Sequence, residues 1–142
     1  RGAARAGAAG VVGGRRGVMY PYIASILQPY LKAQLGGIRV ATEVPATRPA
    51  KLVTLTVSPA GSSDKPEYLS WRRVIFHCWD DTSEADAGRL AETVRSVLLN
   101  SRYEGIGIRK VVIVGEPGRY DDPDDGKPRF QLTVDFMLRA SV

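Results

Sequence analysis

The sequence predicts an α+β domain, two helices packed on a mainly antiparallel or mixed sheet of about five strands. Three observations carry this. Tyr20 to Leu35 and Ala85 to Leu99 repeat apolar residues every three or four positions, the period of a helix with one buried face. Five other stretches, rich in Val, Ile, Leu and aromatics, lie between clusters of Gly, Pro and Asp, as strands do. The order helix, three strands, helix, two strands carries no internal repeat, which points to one layer of helices on one sheet.

In the first helix the stripe is Ile23, Ile26, Leu27, Tyr30, Leu31 and Leu35, and Gly36-Gly37 follow where glycine ends helices. Pro29 lies inside and donates no backbone bond, so a kink or a new turn is expected there. Strands are then expected at Ile38 to Val44, at Leu52 to Val57 with clean alternation, and at Tyr68 to Trp79. Pro45 and Pro49 separate the first two, and the polar run Ser58 to Pro66 separates the second from the third. The second helix follows Asp80-Asp81-Thr82-Ser83, where Thr82 or Ser83 can cap and Glu84 and Asp86 suit the positive end of the helix dipole. Its buried stripe is Ala87, Leu90, Ala91, Val94, Val97 and Leu98, and Asn100-Ser101 end it. A fourth strand is expected at Ile108 to Val114. A proline-rich acidic loop, Gly115 to Pro128, then feeds a fifth, Phe130 to Arg139. There Phe130, Leu132, Val134, Phe136 and Leu138 share the core face, and Gln131, Thr133, Asp135, Met137 and Arg139 share a mostly wet one.

The chain of 142 residues, with 44% hydrophobic and 25% charged residues, suits a single globular core. Two units are expected: an Arg/Gly/Ala arm at residues 1–18 and one domain at residues 19–142. Small residues and arginine give the arm nothing to bury, so alone it is expected to be disordered. The alternatives for it are an arm ordered by a neighbouring subunit and an extension upstream of a domain that begins near Met19. The net charge of +5 resembles a nucleic-acid signal, but Arg1, Arg5, Arg15 and Arg16 supply four of those charges and leave +1 for the rest. A single cysteine, Cys78, excludes an intrachain disulfide, and no Cys/His set has zinc-site spacing. No run approaches the roughly 18 apolar residues of a membrane span, and the start lacks the apolar centre of a signal peptide. A soluble protein made in a cytoplasm, with no membrane partner and no cofactor, is the expectation.

Little here is suited to chemistry. His77 and Cys78 are the one nucleophile-and-base pair, and as neighbours on a strand they point to opposite faces. The run Asp121-Asp-Pro-Asp-Asp-Gly126 resembles half a calcium loop, but Pro123 and Leu132 occupy the third and twelfth ligand positions. An acidic turn shaped by its prolines is the simpler reading, and carboxylates in a polar loop stay ionised rather than serve as a catalytic dyad. Gly105-Ile-Gly107 and Gly115-Glu-Pro-Gly118 open no helix after a strand, so they are expected as turns rather than phosphate cradles. Trp71, Arg73, Ile75, His77 and Trp79 share a strand face that either stacks on bases or packs under a helix or in a subunit contact.

Tyr120-Asp-Asp-Pro123 followed by Pro128-Arg-Phe-Gln-Leu-Thr-Val-Asp-Phe-Met-Leu-Arg139 resembles the tail terminator (tail completion, head-to-tail joining) proteins of long-tailed bacteriophages, particularly those of actinobacterial hosts. The similarity extends over about Met19 to Arg139. It takes in the opening helix, the strand Ile38-Arg-Val-Ala-Thr-Glu-Val-Pro45, the strand Val74-Ile-Phe-His-Cys-Trp-Asp80 and the helix after it. The Arg/Gly/Ala arm and Pro29 depart from the pattern.

The resemblance implies a small α+β subunit of a closed ring, usually a hexamer, that caps the tail tube protein and binds the head-side connector protein, without catalysis. Genome DNA would pass through the lumen without specific binding. The expected location is the virion neck, after assembly in the host bacterial cytoplasm. Arg5, Arg15 and Arg16 are expected to contact acidic groups of an adjacent subunit. Tyr120, Asp121, Asp122, Asp124 and Asp125 are expected to face either a partner ring or the DNA channel, where carboxylates would repel phosphates. The alternatives are another neck component, or a nucleic-acid-binding module that uses the basic arm.

Overall fold

The computed structural model describes residues 11–12, 15–16 and 19–140. Two helices pack on a five-stranded mixed sheet, an α+β fold. Helix α1 spans Ile23–Gln34 and α2 spans Glu84–Asn100. The sheet comprises β3 (Arg39–Ala41), β4 (Lys51–Ser58), β5 (Leu69–Asp80), β6 (Ile108–Arg119) and β7 (Arg129–Arg139), in the spatial order β3-β4-β5-β7-β6. Only the β3–β4 pair is parallel. Strand β7 therefore lies between β5 and β6, the two strands that α2 connects.

Both helices cover one face. Ile23, Leu27 and Leu31 of α1 and Ala87, Ala91, Val94 and Leu98 of α2 close over Val53, Leu55, Val74, Phe76, Cys78, Leu132, Val134, Phe136 and Leu138. The Phe76 and Phe136 rings meet edge to face, 6.3 Å apart at 74°, an arrangement worth about 0.5–1.5 kcal/mol beyond the area it buries. Ser83 caps α2: its Oγ accepts the Asp86 N–H and donates to the Asp86 carboxylate. At the end of α1 the Gly37 N–H reaches back to the Lys32 carbonyl at 3.0 Å, with Gly36 at φ 67°. This is the left-handed closure that glycine permits.

Several expectations need correction. Helix α1 runs unbroken from Ile23 to Gln34 with Pro29 inside it, so no separate helix begins there. Pro29 and Ser25, whose carbonyl loses its helical donor, both lie on the exposed side, where water can take the donor's place. Tyr30 is only half-buried, and its hydroxyl donates to the Val97 carbonyl at 2.9 Å. Strand β3 stops at Ala41, because a parallel pairing obliges the chain to swing back to the start of β4. Strand β4 does not alternate: Leu52, Val53, Thr54 and Leu55 are all buried. Leu52 belongs to a second small cluster with Ala41 and Trp79 on the helix-free face, so this edge of the sheet is covered on both sides. Gly115-Glu-Pro-Gly118 is not a turn. It continues β6 as an edge strand whose pairing with β7 shifts register around Gly115 and again before Gly118. Pro117 is tolerated there because an edge strand needs no second ladder of donors.

Within the arm, Val11–Val12 (β1) pairs antiparallel with Arg15–Arg16 (β2), and the remainder of residues 1–18 lies outside the described residues. Arg5 lies outside the described residues, as do the side chains of Arg15 and Arg16. No helix among the described residues is long and apolar enough to cross a membrane.

Candidate functional site

The extension of β6 moves the start of the loop. Its neck closes at Tyr120 and Arg129, where the Tyr120 N–H donates to the Arg129 carbonyl at 2.7 Å and Arg129 Nε donates to the Tyr120 carbonyl at 2.9 Å. The residues between, Asp121 to Pro128, form the tip of the β6–β7 hairpin.

Asp122 shapes the tip from inside. Its Oδ1 accepts the Asp124 N–H at 2.9 Å, and its carbonyl accepts the Gly126 N–H at 2.9 Å. Gly126 sits at φ 66°, a conformation that side chains with a Cβ disfavour. Asp125 turns back to the body. Its Oδ1 accepts the Lys127 N–H, while its Oδ2 accepts from Arg48 Nε and Nη2 at 3.2 and 3.0 Å. Those contacts, led by the Lys127 N–H, hold the Asp125 carboxyl below its ordinary range.

Arg48 is the hub. Only 11% of its side chain is exposed, and it also bonds Asp81 at 3.0 Å and the Pro49 carbonyl at 3.1 Å. Burial works against its charge, and the bonds to Asp81 and Asp125 outweigh that and raise its pKa. Its guanidinium lies 5.6 Å from the centre of the Trp79 ring, and Arg129 lies 5.5 Å from the same ring and from that of Tyr120. Trp79 is buried, and its Nε1 has no hydrogen-bond partner among the described residues.

Asp121 is engaged too. It accepts from Arg119 at 2.7 and 3.2 Å, and that bond holds its carboxyl below the ordinary range. Arg119 also reaches Glu84 at 2.9 Å, tying the neck to the first turn of α2, and Arg95 holds Glu116 of β6. Three of the four aspartates therefore serve the loop's own structure. Asp124 makes no side-chain bond among the described residues, and Tyr120 is 59% exposed. The surface offered is an aromatic ring and a carboxylate on a fixed frame, less negative than the sequence suggests. Among the described residues no three metal-ligating side chains converge.

The remaining sequence candidates separate as their strand dictates. Cys78 is fully buried in the core, which pushes its thiol pKa well up. His77 lies on the opposite face, its Nε2 2.7 Å from Gln131 Oε1, and burial pulls its pKa down. Arg73 forks onto Asp135 at 2.8 and 3.0 Å. The strand face of Trp71, Arg73, Ile75, His77 and Trp79 is thus knit into its neighbours, with no helix over it.

Arg48, Arg119 and Arg129 were not singled out from the sequence. Alternation of Arg119, Lys127 and Arg129 with the aspartates was a usable signal for two of them. Arg48 stands 77 positions from Asp125, and nothing local marks it. A comparison with protein-family models finds no match, and no curated protein matches the chain.

Proposed function

We propose that this chain is a virion structural protein of the tail-terminator type. Its copies form a closed ring, a hexamer, that caps the tail tube of a long-tailed bacteriophage and joins it to the head-side connector, with DNA passing through the lumen. The role is assembly, not catalysis. Two things support the reading: the ordered resemblance over residues 19–139, and the pinned loop at the tip of the β6–β7 hairpin, which carries it.

A docking element works best when its shape exists before binding, because ordering a free loop would subtract from the affinity. This loop is held by its neck, by Arg48 and by Arg119. Two of its four aspartates, Asp121 and Asp125, are matched by Arg119 and Arg48, which favours contact with a partner ring over repulsion of phosphates in a channel. Native mass spectrometry tests the reading. A closed oligomer of 15.4 kDa subunits that weakens when residues 1–17 are deleted supports the ring and the arm's part in it. A monomer at every concentration rejects the ring, and an unchanged oligomer after deletion rejects the arm's part alone.

A further inference from the structure

The end of the β6–β7 hairpin opposite the loop carries a complementary feature. A cleft of about 190 Å³ is lined by Arg102, Gly105, Gly107, Ile108, Arg109 and Arg139. Arg102 comes from the 3-10 turn after α2, Arg109 from the start of β6 and Arg139 from the end of β7. None of these three arginines has an ion pair among the described residues; Arg48, Arg73, Arg89, Arg95 and Arg119 do, and Arg72 and Arg129, which also lack one, have neutral acceptors instead. Arg102 lies over the Tyr103 ring at 4.7 Å, which helps hold it in place. Three guanidinium groups around one cleft repel one another until an anion joins them, and a carboxylate fits their fork geometry.

We infer that this cleft receives the Asp124 tip of the acidic loop from a second copy of the chain. The inference rests on the ring reading above and names its interface. Charge complementarity selects the occupant: Asp124 is the loop carboxylate with no side-chain partner among the described residues, and it stands on a prearranged loop. The geometry forbids the contact within one molecule. Loop and cleft lie at opposite ends of β7, whose 11 residues span about 35 Å at about 3.3 Å each. The contact therefore joins unlike ends of two copies, and repeated head to tail, as the ring reading requires, it closes into a ring when the rotation permits. The arginines also steer the approach, so association weakens with salt.

Sedimentation velocity on the full chain, at several concentrations, tests this with exposed charge reversals that leave the core untouched. Asp124→Lys alone and Arg109→Glu with Arg139→Glu should each weaken self-association by about tenfold or more, and all three together should restore most of it. If the unaltered chain associates and the reversals leave it unchanged, or the combination fails to recover it, the inference falls and the ring reading stands. If the unaltered chain is monomeric throughout, the ring reading falls and takes the inference with it. Duplex DNA of mixed sequence serves as the competing probe. Salt-dependent binding that the cleft reversals abolish, with the oligomer unchanged, assigns the cleft to phosphate and overturns the inference.

Discussion

Replacing Arg48 with Ala removes the hub that pins the loop, and the structure sets the size of the loss. Two partly sheltered ion pairs, to Asp81 and Asp125, contribute about 0.5–1 kcal/mol each once solvent is allowed for. The cation–π contact with Trp79 adds about 0.5–1 kcal/mol, and the bond to the Pro49 carbonyl about 0.5–1 kcal/mol. Asp81 keeps Lys127 at 3.8 Å, so no carboxylate is stranded and the total stays near 2.5 kcal/mol. For a chain of this size that lowers Tm by about 8 °C. Urea unfolding measures the stability, and hydrogen exchange at Gly126 and Lys127 reads the loop, since those amides bond to Asp122 and Asp125. Arg48→Lys should recover about half of the loss, because an ammonium cannot fork. A loss below about 0.5 kcal/mol, or loop amides that exchange at the original rate, would refute the pinning.

Acid should release the loop in a defined window. The Asp125 carboxyl is held below its ordinary value of 3.8, so its stabilisation is present above that pH and is lost as the pH falls below it. The protection of the Lys127 amide, the slowing of its exchange relative to that of an unstructured chain at the same pH, should therefore fall below about pH 4 in the unaltered chain, and this step should be absent in Asp125→Asn. His77 is shifted the same way, below 6.5. The unfolded chain binds its proton first, so stability should decline as the pH drops through 6.5, and His77→Gln should flatten that part of the urea-midpoint profile. Cys78 lies wholly in the core. It should resist a disulfide reagent such as DTNB until denaturant is added, and Cys78→Ser should cost about 1–3 kcal/mol by leaving a buried hydroxyl without a partner.

The elements with a strong period were legible in the sequence. The α2 stripe and its Ser83 cap, and the core face of β7, are where the spacing puts them. What failed were positions decided by neighbours distant in the chain. Leu52 looks like one half of an alternation until Ala41 and Trp79 cover it. Gly115 to Gly118 look like a turn because the partner strand that holds them extended follows a nine-residue loop in the sequence and leaves no local mark. The site was half legible. Its position and rigidity follow from Pro117, Pro123 and Pro128, but its electrostatics do not. Four aspartates read as a negative surface, and only the folded chain brings Arg48 to Asp125 and turns Asp122 inward. The arginine cleft was invisible for the same reason, since its three members come from three elements.

The central claim is tested most directly by electron microscopy of the purified protein alone and mixed with tail tubes. The account predicts closed rings, seen in isolation or seated at one end of each tube, and fewer tube ends occupied by Asp124→Lys. Single copies or open aggregates that never occupy tube ends would contradict it.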